Sequence, residues 1–323
     1  MSSPSVSIVI VNFNGERFLA PCLSSVLAQT RPFDEIILVD NASSDASLEL
    51  VHHRFPQVRV IKIEKNVGYA QGCNVGIRAS SGDLVAVLNN DAVLDSHWLE
   101  RLLEYNQEPW SFWASLIVFA STPGKIDSAG DAMSVVGAGF KIGHMKKAED
   151  RTEPKEVFGP CAAAALYRRS LLDATGGFDP DFFLIYEDAD LNFRARLLGF
   201  RCLFVPGAIA YHHVNSSIGS YSHTYVFFGH RNSEYVYWKN MPLALLLLYL
   251  PERMLFDLAS FLFFSLKGRP GSFLRAKLDF LRNFPAVLKK RRAVQKSRVL
   301  TTGEVRRILV RNYSRYRLKT IGP

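Results

Sequence analysis

The chain has 323 residues, 48% of them hydrophobic and 21% charged, a balance that supports a packed core and excludes a disordered or low-complexity protein. Its formal charge of +9 is unevenly placed: residues 267–323 hold 17 Lys and Arg against 2 Asp and Glu, which leaves −6 on the preceding 266 residues. An acidic body with a basic tail calls for an anionic partner at the tail, either a membrane surface or a nucleic acid.

Met1 to Pro4 leads straight into a strand with no basic-then-apolar leader. The four cysteines (Cys22, Cys73, Cys161, Cys202) show neither a CxxC pair nor metal spacing, as expected of buried thiols in a reducing compartment. Residues 6–11 (Val-Ser-Ile-Val-Ile-Val) read as a first strand ending in Asn12-Phe13-Asn14-Gly15. Phe18, Leu19, Cys22, Leu23, Val26 and Leu27 then recur at helical spacing. Residues 35–39 form a second strand ending at Asp40, with Ser44 or Asp45 capping the next helix. Residues 58–63 form a third strand. A turn from Asn66 to Gly76 runs into a helix, and Leu84–Leu88 is a buried fourth strand that stops in Asn89-Asn90-Asp91.

Strand–helix alternation at this pitch implies a parallel sheet with right-handed crossovers. No strand is followed by a dinucleotide fingerprint or a P-loop, since Gly68, Gly72 and Gly76 lie four apart. What the strand ends offer instead is polar side chains: Asn12, Asn14, Asp40 and Asn89 to Asp91. If the first and fourth strands are neighbours, these line one crevice at the carboxyl ends of the strands. Asp40 can accept a hydrogen bond from a pyrimidine N3–H, and Asp91 can reach ribose or a divalent cation. Turn caps would use the same residue types.

Residues 95–108 read as a helix capped by Asp95 or Ser96. The stretch from 110 to 157 looks less regular, with Pro123-Gly124 and three nearby glycines, and predicts short strands and a mobile loop. Small residues from Gly159 to Leu166 leave room for a ligand or for tight strand packing. A helix from Ser170 ends at Gly176-Gly177. Glu187 and Asp188 then occupy the first turn of a further helix, where its dipole keeps carboxylates ionised, and Asp190 pairs with Arg194 one turn on. A structural acidic first turn is the alternative. Residues 201–205 form a short strand ending at Pro206-Gly207, followed by Tyr211-His212-His213 and by an aromatic stretch containing Arg231-Asn232. Arg231 can neutralise a diphosphate or an acceptor phosphate, or cap a helix.

Taken in order, these stretches resemble glycosyltransferase family 2, with its GT-A fold, and especially its rhamnosyltransferase-like branch. The resemblance is carried by Ser7 to Asn14, Val39 to Asp45, Asn66-Val67-Gly68-Tyr69-Ala70 with Asn74-Val75-Gly76, and Leu88-Asn89-Asn90-Asp91. It continues through Arg168-Arg169, Gly176-Gly177-Phe178-Asp179, Glu187-Asp188-Ala189-Asp190-Leu191, Arg194, His212 with Ser216-Ser217, and Arg231-Asn232. It implies an α/β GT-A nucleotide-sugar-binding fold with a mostly parallel central sheet, and inverting transfer of a sugar, rhamnose in this branch, from a nucleotide diphosphate sugar (UDP- or dTDP-linked). Asn12, Asn14, Asp40, Asn66, Asn74, Asn89 and Asn90 would line the donor nucleotide site. Asp91 and His212 would hold Mg²⁺ or Mn²⁺. Asp188 would be the base, with Glu187 and Arg231 near acceptor or diphosphate. Asn89 departs from the Asp often found first in the family's metal motif.

Leu243 to Leu266 is apolar, yet Pro251, Glu252, Arg253 and Asp257 interrupt it, so a spanning helix is not expected. Apolar positions from Phe273 to Leu288 then alternate with dense basic charge. This predicts an interfacial helix on anionic lipid, or a hairpin packed on the body or a twin subunit, rather than a nucleic-acid-binding tail. The expected organisation is a catalytic domain over 1–235 and a helical extension over 236–323. The expected acceptor is a glycan or polyprenyl-linked hydroxyl for cell-surface polysaccharide, with the protein peripheral on the inner face of the cytoplasmic membrane. A non-catalytic sugar-nucleotide binder and a membrane scaffold are the competing readings.

Overall fold

The computed structural model describes residues 3–213, 219 and 221–311. Strand and helix alternate through β1 (Val6–Asn12), α1 (Glu16–Leu27), β2 (Glu35–Asp40), α2 (Ser47–Arg54), β3 (Arg59–Lys62), α3 (Tyr69–Ala79) and β4 (Leu84–Asn89). Next come β5 (Ala92–Leu94), α4 (Trp98–Leu103), β6 (Trp110–Phe119), β7 (Thr122–Ser128), β8 (Asp131–Met133), β9 (Gly139–Lys141) and β10 (Lys155–Val157). The chain continues through β11 (Ala164–Arg168), α5 (Arg169–Thr175), α6 (Glu187–Leu197) and β12 (Arg201–His212). It ends in α7 (His223–Asn240), α8 (Leu243–Leu248), α9 (Leu250–Leu266), α10 (Pro270–Ser297) and α11 (Thr302–Ile308).

The chain forms two compact units, the first comprising residues 1–131, 141–183 and 200–214. Its sheet runs β10-β12-β6-β11-β4-β1-β2-β3, with β5 on β12 and β7 on β6. From β4 to β3 the strands are parallel, and β6 and β12 are parallel as well, whereas β11 runs antiparallel between β4 and β6. Every residue of β1 is buried, which is why Val-Ser-Ile-Val-Ile-Val reads as an unbroken apolar run. A Cβ on Gly76 would stand 2.2 Å from Val9, and one on Gly72 2.8 Å from Val11. Gly72 and Gly76 are therefore the seam by which α3 lies against the sheet, whereas Gly68, at φ 83°, faces Phe183.

Three expectations are corrected. The stretch after residue 110 opens with a ten-residue strand, β6, buried along most of its length, because its apolar residues sit between β11 and β12. The strand expected at 201–205 does not stop at Pro206-Gly207; it shifts register between Val205 and Ile209 and continues to His212. The helix expected over 95–108 spans only Trp98 to Leu103, with Asp95 accepting from the His97 backbone N–H ahead of it. The four cysteines are all buried and free.

The second unit comprises residues 132–140, 184–199 and 215 onward. Asp190 is fully buried there and accepts from Arg194 Nε at 2.8 Å, the expected one-turn pair, as well as from Lys239 and Asn240. Glu234 and Arg253, both buried, and the half-buried Asp257 and Lys277 form a second charge group joining α7, α9 and α10. Arg253 alone would be costly at this depth; the Glu234 and Asp257 carboxylates compensate its charge, and the Val136 carbonyl accepts from it. The outer side of these helices is different: Leu255, Leu258, Leu262 and Leu266 on α9, at one-turn spacing, are 55% to 87% exposed. Leu243 and Leu247 on α8 and Leu274, Leu278 and Leu281 on α10 are also exposed.

Candidate active site

The parallel register puts Asn12, at the end of β1, opposite Asp40, at the end of β2, and the side chains continue that pairing. Asn12 Nδ2 donates to Asp40 Oδ1 at 3.3 Å and to Ser43 Oγ at 3.0 Å, while its Oδ1 accepts from Asn90 Nδ2 at 2.8 Å. Three strand ends are thus tied by one run of amides and a carboxylate. Both Asn12 and Asp40 are buried, and Asp40 Oδ2 also takes the Ser43 backbone N–H. Asn14 caps the same turn, accepting from Ser44 N–H at 2.8 Å. Asn41 and Asn66 lock the next loop: Asn41 Nδ2 donates to Asn66 Oδ1, which also accepts from Gly68 N–H. Asn74 is placed elsewhere, with both ends of its amide bonded to the Phe178 backbone, so it staples α3 to the loop after α5.

Asp91 and His212 come together because β5 pairs with the end of β12, setting Ala92 opposite His212. His212 Nε2 lies 3.2 Å from Asp91 Oδ1 and 3.4 Å from Asn89 Nδ2. Its other ring nitrogen lies 3.1 Å from Asp127 Oδ2, on β7. Asp127 occupies the extra position of a bulge, since Ile117 and Val118 of β6 face Ser128 and Ile126. Lys141 Nζ reaches both Asp127 oxygens at 2.7 Å, and the His144 ring nitrogen lies 2.9 Å from the Asp127 carbonyl. Burial works to raise the Asp127 carboxyl, but the Lys141 charge and the two histidines hold it well below the usual carboxylate range. Burial works to lower His212, and its bonds to Asp127 and Asp91 overcome this and raise it. Burial, with the Asp91 charge nearby, pushes the Cys22 thiol up and keeps it inert.

A carboxylate oxygen beside an imidazole nitrogen is a mixed donor pair that suits Mg²⁺ or Mn²⁺. Asp91 and His212 fit such an ion, whereas Asn89 turns its amide nitrogen toward His212. Asp127 and Lys141 escaped the sequence reading, since a lone acid between Ile126 and Ser128 carries no motif and its role appears only through a bulge.

In the second unit, Glu187 and Asp188 open α6 as expected, and Asp188 Oδ1 accepts from the Ala189 N–H at 2.7 Å. The turn before them holds Ile185 at φ 64° and Tyr186 at φ 73°, conformations that cost a β-branched or bulky residue energy. Asn232 of α7 holds that turn, its Nδ2 donating to the Leu184 and Ile185 carbonyls at 2.9 and 2.6 Å. Arg231, expected at a phosphate, donates through Nε to Asn232 Oδ1 at 2.9 Å and lies over the rings of Phe227, Phe228 and Tyr235. Ser216-Ser217 lie outside the described residues.

The model described as glycosyl transferase family 2 matches residues 7–176, more than half of the chain. The chain belongs to that family. An N-acetylglucosaminyl-diphospho-decaprenol L-rhamnosyltransferase of Mycobacterium tuberculosis is 29% identical over 265 residues, covering 71% of this chain and 83% of the relative. The O-antigen biosynthesis protein RfbC of Myxococcus xanthus is 26% identical over 226 residues, covering 67% of this chain and 18% of the relative. An uncharacterised protein of Sinorhizobium fredii is 28% identical over 233 residues, and the chain spans 25% of its length. Among solved structures, a mannosyltransferase of Pyrobaculum calidifontis in complex with GDP-Man and Mn²⁺ aligns with a TM-score of 0.56 at 17% identity, over 99% of this chain and 84% of the other. GalNAc-T7 with UDP, GalNAc and Mn²⁺ aligns with a TM-score of 0.59 at 19% identity, over 72% of this chain and 47% of the other. At those identities the likeness shows the fold, which is GT-A.

Proposed function

We propose that this family 2 protein transfers a sugar, rhamnose being the candidate, from a nucleotide diphosphate sugar to a hydroxyl of a glycan or polyprenyl-linked acceptor, with inversion. The observation that carries this reading is the meeting of Asp91 and His212 beside the strand ends that present Asn12 and Asp40. Asp40 and Asn12 hold the nucleoside of a UDP- or dTDP-linked donor. Asp91 and His212 would hold Mg²⁺ or Mn²⁺, which when bound would neutralise charge gathering on the departing diphosphate. Asp188 takes the proton of the acceptor hydroxyl. The acceptor oxygen attacks the anomeric carbon, and the bond from that carbon to the diphosphate breaks with its electron pair leaving on the diphosphate oxygen. The domain over 1–235 supplies these groups.

The extension over 236–323 serves a membrane-bound acceptor. No helix among the described residues is long and apolar enough to cross a membrane. The exposed leucines of α8, α9 and α10, beside exposed Arg275, Arg282 and Lys289, support shallow insertion into an anionic lipid surface. A screen of UDP- and dTDP-sugars with Mn²⁺, read by thermal shift and then by product formation on a polyprenyl-linked acceptor, tests the reading. Binding without turnover on any acceptor would favour a non-catalytic sugar-nucleotide binder.

A further inference from the structure

We propose that Asp127 is a positioning residue that turns the Nε2 lone pair of His212 toward Asp91 and so readies the cation site. The proposal rests on the metal reading of that site. Asp127 is fully buried, and Lys141 bonds both of its oxygens. A carboxylate so paired is ionised and can only accept hydrogen bonds. Its Oδ2 stands 3.1 Å from His212 Nδ1, so the ring's hydrogen belongs on Nδ1. In the neutral ring Nε2 then carries the lone pair, with Asp91 Oδ1 at 3.2 Å and the Asn89 amide nitrogen at 3.4 Å. With the tautomer reversed, a hydrogen would occupy the place a cation needs. An imidazole that donates its second N–H to a carboxylate is the usual support for a histidine ligand.

The bulge in β7 gives this geometry its cause. In a regular ladder Asp127 would face a residue of β6 directly; as the extra residue between Ser128 and Ile126 it is re-aimed past that strand to His212, on the far neighbour β12. Lys141, from β9, supplies the counter-charge that lets an acid sit at this depth.

The test uses the full chain and Mn²⁺ titrated by calorimetry without nucleotide. Asp127→Asn, whose amide can donate to Nδ1 and so favour hydrogen on Nε2, should bind Mn²⁺ about 10- to 100-fold more weakly. Binding of uridine or thymidine monophosphate in EDTA should be unchanged. The double variant Asp127→Asn/Lys141→Met removes the unmatched ammonium, so a folding defect in the single variant is separated from the cation effect; it should keep the Mn²⁺ loss. A second measurement needs no variant: nitrogen NMR of the intact protein, at alkaline pH where the ring is neutral, should show the His212 hydrogen on Nδ1. Wild-type protein that binds no Mn²⁺ would overturn the metal reading and this proposal together. Mn²⁺ affinity within threefold of wild type in both variants, or the His212 hydrogen on Nε2, would overturn the positioning role alone.

Discussion

Gly15 sits at the junction of β1 and α1 with φ −106° and ψ 16°, a conformation open to alanine. On backbone grounds Gly15→Ala should stabilise by about 0.4–1 kcal/mol, because the unfolded chain loses freedom. The surroundings reverse that expectation. A Cβ there would stand 2.0 Å from Asn90 Nδ2 and 2.3 Å from Asn12 Oδ1, the two ends of one 2.8 Å hydrogen bond. One amide has to swing away, leaving the buried Asn12 oxygen without that partner, at about 1–3 kcal/mol. The loss exceeds the gain, so the net effect is destabilisation of up to about 2 kcal/mol. Asn12 also donates to Asp40, so its displacement loosens the carboxylate proposed to read the base. Binding of uridine or thymidine monophosphate in EDTA should weaken about 5- to 100-fold, the same energy expressed as affinity. Calorimetry and urea unfolding measure the two effects. A Gly15→Ala protein that is more stable than wild type and binds nucleotide within twofold would refute the role given to the Asn12–Asn90 link.

Asp188→Asn should lower turnover about 10²–10⁴-fold with donor affinity retained, and more than a tenth of wild-type turnover would move the base elsewhere. Asn232→Ala, which frees the turn at Ile185 and Tyr186, should lower turnover while leaving donor affinity alone; an unchanged rate would make Asn232 merely structural. Asp91→Ala and His212→Ala should abolish the EDTA-sensitive part of nucleotide diphosphate binding, whereas Asp40→Ala should weaken nucleoside binding with or without EDTA. Glu234 is held at about 2, because Arg253 and Lys277 overcome its burial. Its carboxylate therefore stabilises the fold fully above about pH 4.5, and on the order of 3 kcal/mol should be lost as pH falls from there toward 2, less an offset from Asp257, whose burial pushes it the other way. Glu234→Gln should flatten that acid limb in urea titrations. Vesicle sedimentation should rise with anionic lipid and keep a salt-resistant part that Leu255→Glu/Leu262→Glu removes; no sedimentation on any lipid would leave a packing role for the leucine face.

What was legible in the sequence follows from how locally each feature is encoded. β1 to β4 were readable because each is a short apolar run closed by a polar strand end, and a parallel sheet places such ends side by side. Asn12, Asp40 and Asp91 were visible for the same reason, as was the Asp190–Arg194 pair, which needs only helical spacing. β12 was cut short because Pro206-Gly207 is a local stop signal, overridden when β6 and β5 pair with the chain beyond it. Asp127 illustrates the opposite limit. It serves His212 across 85 residues, through a bulge whose position depends on the register of β7 against β6, and no window of sequence holds both partners. Arg231 shows a third case: its contacts with Phe227, Phe228, Tyr235 and Asn232 are set by the packing of its helix and not by a pattern in the sequence. The residues proposed to meet ligand were thus readable one at a time, whereas those that aim them are defined only by the fold.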